Sequence, residues 1–144
     1  MSIEPASAEP DLAVLNVGLM SDLPTVSASG LPDPAFDDAI HIDVQETSGV
    51  IAGINPRSVL LAVYRYLTAL GCRWVRPGAD GAYLPRIGTL PSVRVAETPS
   101  YRHRAVCIEG AVSVDHVRDM IDWIPKLGFN GYSVSYTHLT LPTN

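Results

Sequence analysis

Asn55 and Gly71 mark both ends of a helix before any other element can be placed. Asn is a strong N-cap because its side-chain oxygen accepts a free backbone N–H of the first turn. Pro56 follows where its missing N–H costs nothing, and Gly71 stands where a left-handed residue ends a helix. Between them Leu60, Val63, Tyr64, Leu67 and Leu70 recur at helical spacing, with Arg57, Arg65 and Thr68 left for solvent. The spacing predicts a helix over 56–70 that buries this stripe.

Such a stripe needs a cover, and the preceding chain supplies one. Ile40, Ile42 and Val44 alternate with His41, Asp43 and Gln45, the period of a half-buried strand. A turn and the run Ser48 to Ile54 complete a hairpin. Leu12 to Leu19 is an apolar run of strand length, and Ser21 to Ala35, with Pro24, Gly30, Pro32 and Pro34, reads as loop. After the helix, Cys72 to Val75 reads as a strand returning to the sheet. Residues 76–100 are rich in Gly and Pro, with a short extended piece over 82–87 and a domain boundary near residue 97.

A second kind of unit follows. Ala105, Val106, Cys107 and Ile108 are continuously apolar within His103 to Glu109, as in a strand covered on both faces. Ser113 caps a helix with Asp115 in its first turn and Lys126 in its last, and Gly128 ends it. Val117, Met120, Ile121, Ile124 and Leu127 form its expected buried stripe, and Pro125 should kink the last turn. Asn130 to Ser133 opens a further strand. Strand, helix, strand is the start of a parallel unit. The fold class expected is therefore α/β: a small α+β domain, a sheet with one packed helix, followed by a β-α-β unit.

Composition narrows the function classes. The chain has 144 residues, 47% hydrophobic and 17% charged, which suits a globular protein. Its net charge of -5 carries no basic block, so nucleic acid is not an expected partner. No stretch reaches the ~18 apolar residues of a membrane span, and the N-terminus lacks a basic-then-apolar leader pattern, so the expectation is a cytoplasmic protein with no membrane partner. Cys72 and Cys107 lack zinc-site spacing and read as free buried thiols; His41, His103 and His116 are dispersed as surface or capping residues. No cofactor or metal is expected. The paired acids Asp37 with Asp38, and Asp119 with Asp122, read as solvated surface carboxylates.

Two blocks carry a resemblance. The run from Gly49 to Ile87, with its Asn-Pro-Arg-Ser helix start and Leu-Gly-Cys-Arg-Trp-Val-Arg-Pro-Gly exit, resembles the small α/β domain that precedes the catalytic barrel in family 20 glycoside hydrolases (β-N-acetylhexosaminidases) and in α-glucuronidases. The run from Tyr101 to Ser135 resembles the opening of the hexosaminidase TIM barrel: an Arg before the first strand, an acid at its C-terminal end, Ser-Val-Asp opening the helix, and Lys-Leu-Gly-Phe-Asn leading into strand two.

The resemblance implies a carbohydrate substrate, with Arg104 contacting hydroxyls of the terminal sugar at the C-terminal mouth of the first strand, and Glu109 where the family usually has Asp. Arg suits that task because its planar fork presents paired donors. The residues alone leave open an Arg104 that instead pairs with Glu109 or a loop carbonyl. Catalysis in the family resembles substrate-assisted cleavage, with an Asp-Glu pair after the fourth strand. This chain reaches only the second strand, so no catalytic residue is assigned. The rival readings are an α-glucuronidase-like hydrolase and a noncatalytic carbohydrate-binding relative.

Val134 to Asn144 (VSYTHLTLPTN) resembles translated read-through of a sequencing-library adapter, as at the ends of metagenomic reading frames; the alternative is a natural strand. The expected organisation is a flexible tail over 1–10, the small domain over 11–96, the first β-α-β over 97–133 and an adapter-derived end over 134–144. On that reading the chain is a truncated piece of a longer hydrolase and inactive alone.

Overall fold

The computed structural model describes residues 14–23, 32–46, 48–109 and 113–135. The expected tail over 1–10 lies outside them, as do residues 136–144 of the adapter-like end. Strand β1 (Leu15–Leu19) runs into a 3-10 turn over Met20–Asp22, and the next strands among the described residues are β2 (Ile40–Gln45) and β3 (Ser48–Gly53). The last two form the expected antiparallel hairpin, with Ile42 opposite Ile51, and Glu46 takes a positive φ of 52° in the connection. β1 lies parallel to β3 along its other edge.

Helix α1 (Pro56–Ala69) begins and ends where its punctuation predicts. The Asn55 side chain accepts the Ser58 N–H at 2.8 Å, and Gly71 adopts a φ of 96°. The first turn of α1 presses on the end of β3 so closely that a Cβ on Gly53 would stand 2.2 Å from the Val59 nitrogen. Only glycine permits that approach.

The face that α1 buries differs from the expected one. Ser58, Leu61, Ala62 and Tyr66 are buried, whereas Leu60 is 46% exposed. Leu61, Ala62 and Tyr66 join Ile40, Ile42, Val44, Ile51 and Val93 in one core, with Val63 and Leu70 packed at its margin. On the same face the Ser58 hydroxyl donates to the Asp38 carboxylate at 2.9 Å. Tyr64, turned away from the sheet, meets Trp74 edge to face with ring centroids 5.3 Å apart.

After α1 the chain departs from expectation again. β4 (Arg73–Trp74) does not return to the sheet but pairs with β5 (Ala82–Tyr83) in a separate two-stranded ribbon. The free edge of β2 is taken by β6 (Val93–Glu97), antiparallel to it, giving the order β1-β3-β2-β6. β1 and β6 thus take the two places beside the hairpin. The alternation in Val-Arg-Val-Ala-Glu was present within the Gly- and Pro-rich stretch.

The second unit has the expected order. β7 (Ala105–Glu109) and β8 (Gly131–Ser135) are parallel neighbours, with Ala105 opposite Gly131, joined through α2 (Val114–Trp123). Ser113 caps α2 by accepting the His116 N–H. At Pro125 the helix tightens into a 3-10 turn over Ile124–Leu127, which Gly128 closes at a φ of 87°. Met120 and Ile124 are buried as expected, but Ile121 and Leu127 are 52% and 44% exposed. Cys72 is buried and Cys107 exposed, so the pair of buried thiols is half corrected. The architecture is thus mixed α/β, a multistranded sheet with two helices among the described residues. None of these helices is long and apolar enough to cross a membrane.

Candidate functional site

The sheet unit and the β-α-β unit meet at one buried carboxylate. Asp38 lies in the loop before β2, and its side chain is 1% exposed. Its Oδ1 accepts from Arg57 Nε at 2.8 Å and from the Ser58 hydroxyl at 2.9 Å, both in the first turn of α1. Its Oδ2 accepts from Arg104 Nη2 at 2.8 Å and from Asn130 Nδ2 at 2.9 Å, the residues that precede β7 and β8. Sequence reasoning placed Asp38 among solvated surface acids. The structure corrects this: four donors compensate the charge, which is what a buried carboxylate requires.

Burial works to raise the Asp38 pKa, but the donors, Arg104 foremost, outweigh it and hold the carboxyl at about 2. Asp37 beside it is also lowered, chiefly by its hydrogen bond from Arg102. That arginine grips Asp37 with two nitrogens, at 2.7 and 3.1 Å, and lays its guanidinium over the Phe36 ring. The Asn55 amide donates to the carbonyls of Pro34 and Asp37. The loop over 33–39 is therefore held from α1 and from the segment before β7 at once.

Arg104 stands before β7, at the N-terminal end of the strand, rather than at its C-terminal mouth. Its Nε donates to the Gly128 carbonyl and its Nη1 to the Tyr101 carbonyl, both at 2.9 Å, while Nη2 reaches Asp38. Asn130 locks the same spot by exchanging hydrogen bonds with the Arg104 backbone. The loop-carbonyl alternative left open by the residues is thus realised, with Asp38 as an added partner.

Glu109 closes the other end of β7, its backbone opposite Ser135. Its side chain lies outside the described residues. Along a strand that rises ~3.3 Å per residue, the five steps separate the two backbones by roughly 16 Å. The structure does not gather Arg104 and Glu109 at one point.

Next to Asp38 opens a cleft of about 390 Å³, lined by Ile40, Leu61, Arg65, Glu97, Arg104 and Leu127 among others. Arg65 and Glu97 form a two-nitrogen ion pair across it, the shortest contact 2.9 Å, with side chains 40% and 48% exposed. Among the described residues no three His, Cys, Asp or Glu side chains cluster as a metal site would need. Of these residues the sequence marked only Arg104. The donors of Asp38 lie up to 92 positions away, and no local pattern announces such a convergence. In comparisons with family models, curated proteins and solved structures, the chain finds no match.

Proposed function

We propose that this chain forms the N-terminal part of a carbohydrate-active glycoside hydrolase, β-N-acetylhexosaminidase-like, with a small α/β domain leading into the first β-α-β of a TIM barrel. The observation that carries the reading is the element order: a sheet with one packed helix, then β7, α2 and β8 as a parallel β-α-β. That is the order implied by the resemblance of residues 49–87 and 101–135. A parallel pair alone leaves backbone edges open, whereas an eight-stranded barrel closes them. The catalytic Asp-Glu pair would come from a later strand of the parent protein.

In this proposal the Asp38 cluster joins the accessory sheet to the barrel's N-terminal side, opposite the end at which barrel enzymes bind substrate. On this reading Glu109, which ends β7, would be the residue of this chain on the substrate side. The parent enzyme should hydrolyse a chromogenic N-acetylglucosaminide, and the 144-residue chain should not. Turnover of glucuronosyl xylo-oligosaccharides instead would favour the α-glucuronidase-like alternative. A parent sequence without an Asp-Glu pair after its fourth barrel strand would overturn the hexosaminidase reading.

A further inference from the structure

We propose that Asn130 and Gly131 form a spontaneous deamidation site that the Asp38 cluster holds in check while the two units are docked, and that the modified chain no longer redocks them. Deamidation begins with attack by the backbone nitrogen of the following residue, which glycine leaves least hindered. Asn16 is followed by Val17, whose branched side chain crowds that nitrogen, and Asn55 by Pro56, which has no N–H to lose. Asn130 is the asparagine of this sequence that precedes a glycine.

The fold holds both members of the pair. A Cβ on Gly131 would stand 3.1 Å from the Ala105 Cβ, so the close approach of β8 to β7 favours glycine. The Asn130 side chain is tied on every side. Its Nδ2 gives one hydrogen to Asp38 Oδ2 at 2.9 Å and the other to the Arg102 carbonyl at 2.8 Å, and its Oδ1 accepts the Arg104 N–H at 2.9 Å. Its backbone N–H donates to the Arg104 carbonyl at 2.9 Å. Ring closure requires the side chain and the Asn130 backbone to turn toward each other, and these bonds resist both rotations. The reaction therefore runs through openings in which the β-α-β unit leaves Asp38.

In the first step the Gly131 nitrogen bonds to Asn130 Cγ, the Cγ–Nδ2 bond breaks, and the amide nitrogen leaves as ammonia with the proton from the Gly131 N–H. Water then opens the succinimide at Cγ to give an aspartyl residue, or at the backbone carbonyl carbon to give an isoaspartyl residue. Nothing is oxidised or reduced. In the aspartyl product the oxygen that replaces Nδ2 meets Asp38 Oδ2 and the Arg102 carbonyl, both acceptors. The arginines nearby are already engaged, Arg57 and Arg104 on Asp38 and Arg102 on Asp37. The isoaspartyl product adds a methylene to the main chain just before β8 and breaks the paired exchange of hydrogen bonds with Arg104. Either product unfastens the junction, and the loss of ammonia makes the change one-way.

Peptide mapping of the full chain, incubated at mildly alkaline pH either native or in urea, tests this through the mass gain at each asparagine. In urea Asn130 should deamidate at least about tenfold faster than Asn16, and in the native chain Asn130 should be at least about tenfold slower than in urea. Chain deamidated at Asn130 in urea is then refolded beside unmodified chain carried through the same steps. Amides of β7 and β8 should exchange at least about tenfold faster in the modified chain, with a smaller change at Ile42 and Ile51. Asn130→Asp, which supplies the aspartyl product without the backbone insertion, should show the same pattern. Equal rates in native chain and urea, Asn16 matching Asn130 in urea, restored protection of β7 and β8 in the refolded modified chain or in Asn130→Asp, or an equal change in both units would each overturn the proposal.

Discussion

The sheet unit around α1 and the β-α-β unit around α2 are built from similar local signals, yet they are anchored very differently. In the first, Ile42, Val44 and Ala62 are fully buried, and the β2–β3 hairpin is flanked by a strand on each side. In the second, Met120 and Ile124 are buried, while Val114, Ile121 and Leu127 remain exposed beside a lone pair of parallel strands. The difference shows that good helix caps place an element without supplying its burial. Most helical stability comes from packing of the apolar face.

The largest expected effect contrasts the two units directly. In the full chain, the amides of Ile42 and Ile51 should exchange at least about a hundredfold more slowly than those of Val106 and Cys107, because opening the β-α-β exposes less buried surface. Uniform protection measured by mass spectrometry or NMR would erase the contrast.

Next comes the carboxylate that joins the units. Asp38→Ala strands two arginines without their shared anion and should lower stability by about 3 to 5 kcal/mol in urea titrations. It should also raise exchange in β7 more than in β2. A loss confined to the sheet unit would show that Asp38 serves α1 alone.

The helix phase can be tested at comparable magnitude. Leu61→Ala should cost about 2 to 5 kcal/mol, whereas Leu60→Ala should stay within about 0.5 kcal/mol. Leu67, half-buried, should fall between them. Reversal of the first two would restore the stripe expected from spacing.

A smaller effect concerns pH. The folded Asp38 carboxyl sits at about 2, below its unfolded value near 3.9, so its contribution is fully present above pH ~4 and is lost as pH falls through about 2. That contribution is roughly 2 to 3 kcal/mol. The stability gap between wild type and Asp38→Asn should therefore shrink between about pH 4 and pH 2. A gap independent of pH over this window would contradict the depressed value.

Local chemistry in the sequence determined much of this protein. The ends of α1 follow from Asn55, Pro56 and Gly71, the hairpin from the alternation in 40–45, and the strand-helix-strand order of the second unit from Ser113, Pro125 and Gly128. Each of these signals acts within a few residues, where backbone donors, fixed φ angles and side-chain period decide the outcome. β6 was legible too, but its short alternation lay among turn-forming residues that outweighed it.

Tertiary structure alone decided which face of α1 is buried, where Arg104 points and what Asp38 is. Ser58 on the buried face bonds a carboxylate 20 positions away, and the same carboxylate receives Arg104 from 66 and Asn130 from 92 positions away. A lone Asp in a loop reads as solvated because nothing nearby in the chain compensates its charge. Its burial becomes affordable only when donors from three separate segments converge, and that convergence is a property of the packed chain.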